Sequence, residues 1–563
     1  MAGRALNARR QPVLQRLPPA SFLPHGGLAD HALLQSPTKG LFQILILQTL
    51  SFLACASDLI SRNSADTYSG LATFSQLTHH PRPQPFGELP AQKPMAQFET
   101  NLAGGPNTQR ALLVATAQDI QQLLGNSSLT SEALIDLSLR QIEQFDPKGA
   151  ALQAMIKVAP REKLLAQARG LDQERQRGQV RGPLHGIPII LKDIFNTHPY
   201  WELPTTQGAK VLEHAENAGE SRLVEQLTKA GLVVIGNANL PEFGAGKGEG
   251  GIGGLSALGG QARSAYVFEI VKKEDKHLAN PNPGGSSTGS ALAVAAGYCP
   301  ISIGGEADGS LTTPASRAAM YALKCTPQTN STDGIFQVVP TFETVGGMAK
   351  PVRDLANITN VILQAVKEPR SIQVQFRSDW RGAVDYPVDL THPREVKFKD
   401  ESGFLKVLSA EVRDSVNAYL AGLTDTPVRT LEEIIDWNKK HPELQAGIEQ
   451  TYLIAAQNDT TTPEELAEAR AFVKQASGPD ALFKVMDELQ LDAICTPTDG
   501  PICTLVAMAG YLDPSGRPFG LSFVARPGKE DTLIQLMSAW EATFPECKLP
   551  SGVLDAIKGE SML

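Results

Sequence analysis

The chain has 563 residues, 42% of them apolar and 20% charged, which is enough apolar material for a large core and excludes a wholly disordered polypeptide. Lys and Arg number 51 against 60 Asp and Glu, a net charge of −9 with no long basic run, which argues against nucleic acid as a partner. Six cysteines (Cys55, Cys299, Cys325, Cys495, Cys503 and Cys547) form no C-x-x-C pair, so neither a disulfide framework nor a thiolate metal site is supported.

Residues 1–40 read as an irregular Pro-, Arg- and Leu-rich leader. Residues 41–56, LFQILILQTLSFLACA, are apolar apart from Gln43, Gln48, Thr49 and Ser51. The stretch is too short for comfortable membrane insertion. Its length fits the apolar region of a signal peptide, with Ala54-Cys55-Ala56 as a cleavage site, although about 40 residues precede it. Asn-x-Ser/Thr sequons at Asn126, Asn330, Asn357 and Asn458 are compatible with secretion. A secretory location is therefore expected, with a cytoplasmic one as the alternative. Residues 57–110 are polar and proline-containing and read as a linker or disordered arm.

From there the periodicity predicts helices over Ala115–Leu124 and Thr130–Phe145, the second with Ile135, Leu139 and Ile142 on one face. A third helix opens at Pro160 and runs to Arg177, with Gly178 beyond its end. Ile187–Leu191 is a continuous apolar run, hence a buried strand ending at Lys192. A helix over Glu220–Ala230 and a strand over Leu232–Ile235 follow. This alternation argues for an α/β sheet. Gly244–Gly260 is glycine-rich and predicts a loop.

Next comes Pro281–Ser316, in which two Gly-Ser turns, Gly284-Gly285-Ser286-Ser287 and Asp308-Gly309-Ser310, flank an apolar unit. That unit reads as a buried small-residue helix followed by a short strand at Pro300–Ile303. Either turn alone is more economically a glycine/serine loop. Paired, they can aim backbone N–H groups at one point, as an oxyanion site requires. Further on, helices are predicted over Asp354–Val366, Glu411–Leu420, Pro463–Ser477 and Asp480–Leu489, a strand at Ala493–Cys495, and irregular chain over Ser371–Phe404. Residues 551–563 read as a tail.

The two motif blocks, in this order, resemble those of the amidase signature family. Gly182-Pro183-Leu184-His185-Gly186-Ile187-Pro188-Ile189-Ile190-Leu191-Lys192-Asp193 matches the G-P-L-x-G-[IV]-P-x-x-[IVL]-K-D pattern that carries the family's lysine. Asn239-Leu240-Pro241-Glu242-Phe243 is similar to its N-x-x-E-F element, although a helix start is as good a reading. Gly346-Gly347-Met348-Ala349-Lys350 is similar to its G-P-M-A-[KR] turn. The likeness runs from Leu112 to Pro550. It implies one amidase domain over 111–550, with the amidase signature fold: a large mixed, mostly parallel central sheet covered by helices on both faces.

The resemblance also implies a serine hydrolase that opens a carboxamide C–N bond through an acyl-enzyme, with no metal or organic cofactor and a small-molecule or peptide amide as substrate. Ser310 corresponds to the nucleophile, Ser286 to the bridging serine after a cis peptide, and Lys192 to the base. The backbone N–H groups of Ala307, Asp308 and Gly309, with that of Ser310, correspond to the oxyanion hole, and Ser287 supports them. Ser286 Oγ is expected within hydrogen-bond reach of both Lys192 Nζ and Ser310 Oγ. His185 is given no chemical role.

Two departures stand out. Thr312 occupies the position of a common family arginine. After Ala509-Gly510-Tyr511 the chain passes through Leu512-Asp513-Pro514-Ser515, a turn, where the family runs an apolar strand. About 5–6 residues, one strand's worth, are expected to be missing there. Two alternatives therefore stay open: an amidotransferase A-subunit-like enzyme, or an amidase-fold protein impaired by the missing strand.

Overall fold

The computed structural model describes residues 107–558 apart from short internal segments, chiefly 373–382 and 386–395, together with 44–46 and 101–102. All of them belong to the unit Phe42–Leu563 into which the chain divides after Leu41. The leader 1–40, nearly all of the arm before residue 107 and the sequon at Asn330 lie outside the described residues.

An eleven-stranded sheet forms the frame. Its strands are β1 (Ile44–Ile46), β2 (Met155–Val158), β3 (Pro188–Lys192), β4 (Val233–Ala238), β5 (Ile301–Glu306), β6 (Tyr321–Lys324), β7 (Thr344–Ala349), β8 (Ala383–Asp385), β9 (Ala493–Thr498), β10 (Leu505–Tyr511) and β11 (Pro518–Val524). They lie in the order β8-β1-β9-β11-β10-β6-β7-β5-β3-β4-β2. The sheet is mixed. Parallel pairings join β1 to β8 and β9, and β3 to β4 and β5; the remaining neighbours are antiparallel. Every residue of β3, β4, β5 and β7 is buried, because helices cover these strands and their apolar runs have no wet face.

The predicted helices form with small shifts of their ends as α1 (Ala117–Gly125), α2 (Ser131–Phe145), α3 (Arg161–Gln176), α4 (Arg222–Lys229), α5 (Thr288–Ala295) and, after a short helix the sequence did not predict, α6 (Thr312–Arg317), as α7 (Val352–Gln364). Local chemistry sets their starts. The Thr116 hydroxyl accepts from Asp119 N–H while Asp119 accepts from Thr116 N–H, a complete capping box, and Ser221 caps α4. In α5 all eight residues are buried, since Ala291, Ala293 and Ala295 present little bulk between neighbouring elements.

A second core sits on α8 (Gly403–Ala421), α9 (Leu431–Lys440) and α10 (Thr451–Gln457), where Val416, Leu431, Ile434 and Leu453 pack with Phe243 and Phe336. The sequence reading missed α9 and α10, and it started α8 too late. Ser402 caps α8 through Leu405 N–H, so the helix takes in residues read as irregular. α11 (Pro463–Ser477), α12 (Glu530–Thr543) and α13 (Ser551–Lys558) complete the set used here.

Four further expectations are corrected. Gly346–Ala349 is strand β7, hydrogen-bonded on both sides, and not a turn. The domain extends below residue 111, since Leu102 is buried in the main core and Thr108–Val114 is helical. Residues 551–558 are no tail: α13 buries Val553 in the same core, and Gly552 N–H donates to the Ala265 carbonyl at 3.0 Å. The sheet also lacks no strand near Tyr511. β10 pairs with β11 from Val506 to Tyr511 and with β6 at Leu505 and Val506, so Leu505–Tyr511 itself occupies the position. Leu512–Ser515 is the turn of that hairpin, with a cis Asp513–Pro514 bond.

Candidate active site

Three segments bring the sequence-predicted residues together. β3 delivers Lys192 at its C-terminal end, buried. β5, parallel to β3, ends at Glu306 and opens into the turn 307–310 ahead of α6. The loop before α5 carries Ser286 after a cis Gly285–Ser286 bond.

Lys192 Nζ donates to Ser286 Oγ at 2.7 Å and to the Gly305 carbonyl at 3.1 Å. Ser287 stitches the two serine segments: its N–H donates to the Ser310 carbonyl at 2.7 Å, its hydroxyl donates to the Gly305 carbonyl at 3.0 Å, and Gly305 N–H donates back to it at 3.2 Å. Half-buried Ser310 thus stands beside Ser286. The structure holds no hydrogen bond between their hydroxyls, which is a difference from the expected two-sided contact.

Burial lowers the Lys192 ammonium from its ordinary 10.5 to about 8, because an ion loses hydration inside the core. Two carboxylates oppose this, Glu343 and then Glu306. Burial in turn pushes the Glu343 carboxyl up.

The turn 307–310 is held from outside. Glu306 Oε2 accepts from Leu311 N–H at 2.8 Å, Thr312 N–H at 2.9 Å and the Thr312 hydroxyl at 2.9 Å. Thr312 thus lends a neutral donor to that carboxylate. Lys324 Nζ donates to the Ala307 carbonyl at 2.7 Å. Among the described residues the N–H groups of Ala307, Gly309 and Ser310 donate to no protein acceptor. Gly309 takes φ +76, which only a residue without Cβ adopts freely.

Other singled-out residues are structural. His185 is buried with Nε2 3.0 Å from the Leu171 carbonyl, and its Nδ1 accepts from Arg181 N–H at 3.4 Å. Glu242 forms a buried ion pair with Lys247 at 2.6 Å. The adjoining Gly244 nevertheless borders the site: a Cβ built there would lie 3.5 Å from Ser286 Oγ. Sequence reasoning missed Glu343, Glu306 and Lys324. Glu343 and Lys324 act across strand pairings, and Glu306 acts on the turn that follows it, with a charged residue at the end of an apolar run as the local signal.

No group of three or more His, Cys, Asp or Glu side chains among the described residues could hold a metal ion. No described helix is long and apolar enough to cross a membrane.

The amidase family model matches residues 133–382, a span that holds Lys192, Ser286 and Ser310 together with the strands that position them. The native peptide amidase of Stenotrophomonas maltophilia superposes with a TM-score of 0.67 at 28% identity, over 78% of this chain and 98% of that one. Over residues 133–382 the chain is similar to the amidase family. A protein of Arabidopsis thaliana described as a probable amidase is 28% identical over 477 residues, 76% of this chain and 89% of its own length. The A-type component of the glutamyl-tRNA(Gln) amidotransferase of Chloroflexus aggregans is 35% identical, over 44% of this chain and 46% of its own.

Proposed function

We propose that this amidase hydrolyses the C–N bond of linear carboxamides through an acyl-enzyme on Ser310. The observation that carries the reading is the buried Lys192–Ser286 contact at 2.7 Å, made by a lysine whose ammonium is weakened to about 8. Neutral Lys192 accepts the Ser286 proton as Ser286 takes the proton of Ser310, and Ser310 Oγ attacks the amide carbon. The carbonyl oxygen gathers charge at the turn 307–310, whose unspent N–H groups suit it. The proton returns through Ser286 to the departing nitrogen, the C–N bond breaks, and water then opens the ester. The Ser286–Ser310 hydrogen bond this relay needs has to form with substrate, as catalytic contacts commonly do.

Peptide amides are a substrate class to try first, from the likeness to the peptide amidase over nearly all of that chain. The likeness to the amidotransferase component favours a second reading, ammonia transfer to a partner-held acceptor, but it spans under half of either chain. The continuous hairpin β10–β11 speaks against the impaired-fold reading.

The test is release of ammonia or amine from primary amides, anilides and C-terminally amidated peptides by the purified protein. Ser310→Ala is expected to remove nearly all turnover, and Lys192→Ala to cost several orders of magnitude, since groups that act as a unit fail as a unit. Near-parental turnover by Ser310→Ala overturns the assignment.

A further inference from the structure

Ser286 does not lie on a strand, so something other than sheet pairing must hold its loop against the segment that carries Ser310. One tie is the backbone bond from Ser287 N–H to the Ser310 carbonyl. A second runs through a side chain that the relay does not use. Arg317 is the last residue of α6, the helix that begins two residues after Ser310, and it is only 2% exposed. Its Nη1 donates to the Asn282 carbonyl at 2.7 Å and reaches the Ala279 carbonyl at 3.4 Å. Asn282 Oδ1 accepts from Gly284 N–H at 2.9 Å. Gly284 takes φ +78, and a Cβ there would stand 3.1 Å from the Pro314 backbone and 3.2 Å from Arg317 Cδ. The loop therefore lies flat on the stem of Arg317 and on α6. Arg517, buried at the end of the β10–β11 turn, also reaches the Ala279 carbonyl at 3.4 Å.

We infer that Arg317 is a positioning residue for the serine pair: it fastens the Ala279–Asn282 loop to α6 and so holds Ser286 on Lys192. The contacts close a ring that runs from Ser310 along α6 to Arg317, across to Asn282, through Ser286 and Ser287, and back to Ser310. A guanidinium suits the task because its planar fork carries several donors, whereas a lysine brings a point charge and a methionine brings none. Loss of the donors leaves buried carbonyls unpaired and lets the loop drift. A displacement of order 1 Å at the relay is enough to cost a large factor in rate.

This inference rests on the proposed role of Ser286, and the experiment separates the two. Arg317→Met and Arg317→Lys are made in the parental chain and in Ser286→Ala. kcat and KM are measured on the amide the parental protein turns over fastest, with active sites counted by a fluorophosphonate probe. Arg317→Met is expected to lower kcat about 10- to 100-fold, with KM within about threefold of the parent and with Arg317→Lys in between. In Ser286→Ala, the same change is expected to cost less than about twofold, because the group it positions is gone. Equal losses in both backgrounds, an unchanged kcat, or a loss confined to KM overturns the inference. If Arg317→Met does not fold, Arg317→Lys makes the same comparison. Full activity in Ser286→Ala would remove the relay itself, whereas an inactive Ser286→Ala beside a normal Arg317→Met would remove only the clamp.

Discussion

Lys192 accepts a proton only while it is uncharged, and its burial favours that form. With its ammonium held at about 8, protonation at lower pH disables the relay. kcat/KM should therefore fall on the acid side as pH drops through that region, and Lys192→Ala should erase that limb from whatever activity is left. Glu343 provides a sharper check. Its carboxylate, fixed by Val338 N–H at 3.1 Å and Val339 N–H at 3.3 Å, favours the charged lysine, as does Glu306 less strongly. Removing the Glu343 charge makes the ammonium still less favourable, so the Lys192 pKa falls and the acid limb moves to lower pH in Glu343→Gln. A limb that stays in place, or moves up, in a pH–rate profile would refute this coupling. Legibility at this scale was uneven. Lys192 was readable as the polar end of an apolar strand, and Ser286 and Ser310 as serines on glycine turns. Glu343 was not, because only the pairing of β7 with β5 brings it near Lys192.

The hairpin β10–β11 shows how an element can be misread from a local pattern. The turn at Leu512–Ser515 is as the sequence predicts, whereas the strand expected to be missing between Tyr511 and Gly516 leaves no gap beside β11. Leu505–Tyr511 pairs with β11 from Val506 to Tyr511, with a register shift between Met508 and Gly510, and with β6 at Leu505 and Val506. Ala507 and Met508 on this strand are buried in the main core, and the Trp540 indole N–H of α12 donates to the Met508 carbonyl at 2.9 Å. An apolar five-residue insertion after Tyr511 therefore finds the β11 edge already taken. It should leave the melting temperature unchanged or lower it, and it should not raise turnover. A clear rise in melting temperature by calorimetry would show that the sheet does want a further strand. The same lesson applies to β7. Two adjacent glycines, Gly346 and Gly347, look like a turn, yet a Cβ at Gly346 would stand 2.0 Å from the Leu323 carbonyl of β6. Gly346 marks close packing between strands, and Gly347, where a Cβ would stand 2.5 Å from Ile358 Cγ2, marks close packing under α7.

For the molecule as a whole, the sequons give a test of the proposed secretory route. Asn126 and Asn458 are exposed at helix ends. Asn357 lies within α7, and the hydroxyl of its Thr359 is buried against the Leu355 carbonyl at 2.7 Å. Expressed through a eukaryotic secretory pathway, the protein should carry glycan at Asn126 or Asn458 and none at Asn357, as read by peptide mass spectrometry. Glycan on Asn357 would contradict the placement of α7. The apolar segment 41–56 bears on the same question, because Ile44–Ile46 pairs in parallel with β8 and β9. N-terminal sequencing of the mature protein would show whether that strand is retained.

Motif resemblance marked Lys192, Ser286 and Ser310, and the residues by themselves determined the α/β class, most helices and the buried strands β3, β4 and β5. Those features depend on short-range chemistry: apolar period, caps, and glycines where the backbone must turn. Only the tertiary structure decided that Leu505–Tyr511 and Gly346–Ala349 are strands, that α13 belongs to the core, and that Glu343, Lys324 and Arg317 converge on the serine segments. A strand without strong alternation is defined by its neighbours' hydrogen bonds. A buried charge is defined by what faces it across the sheet. Neither is a property of the segment that carries it.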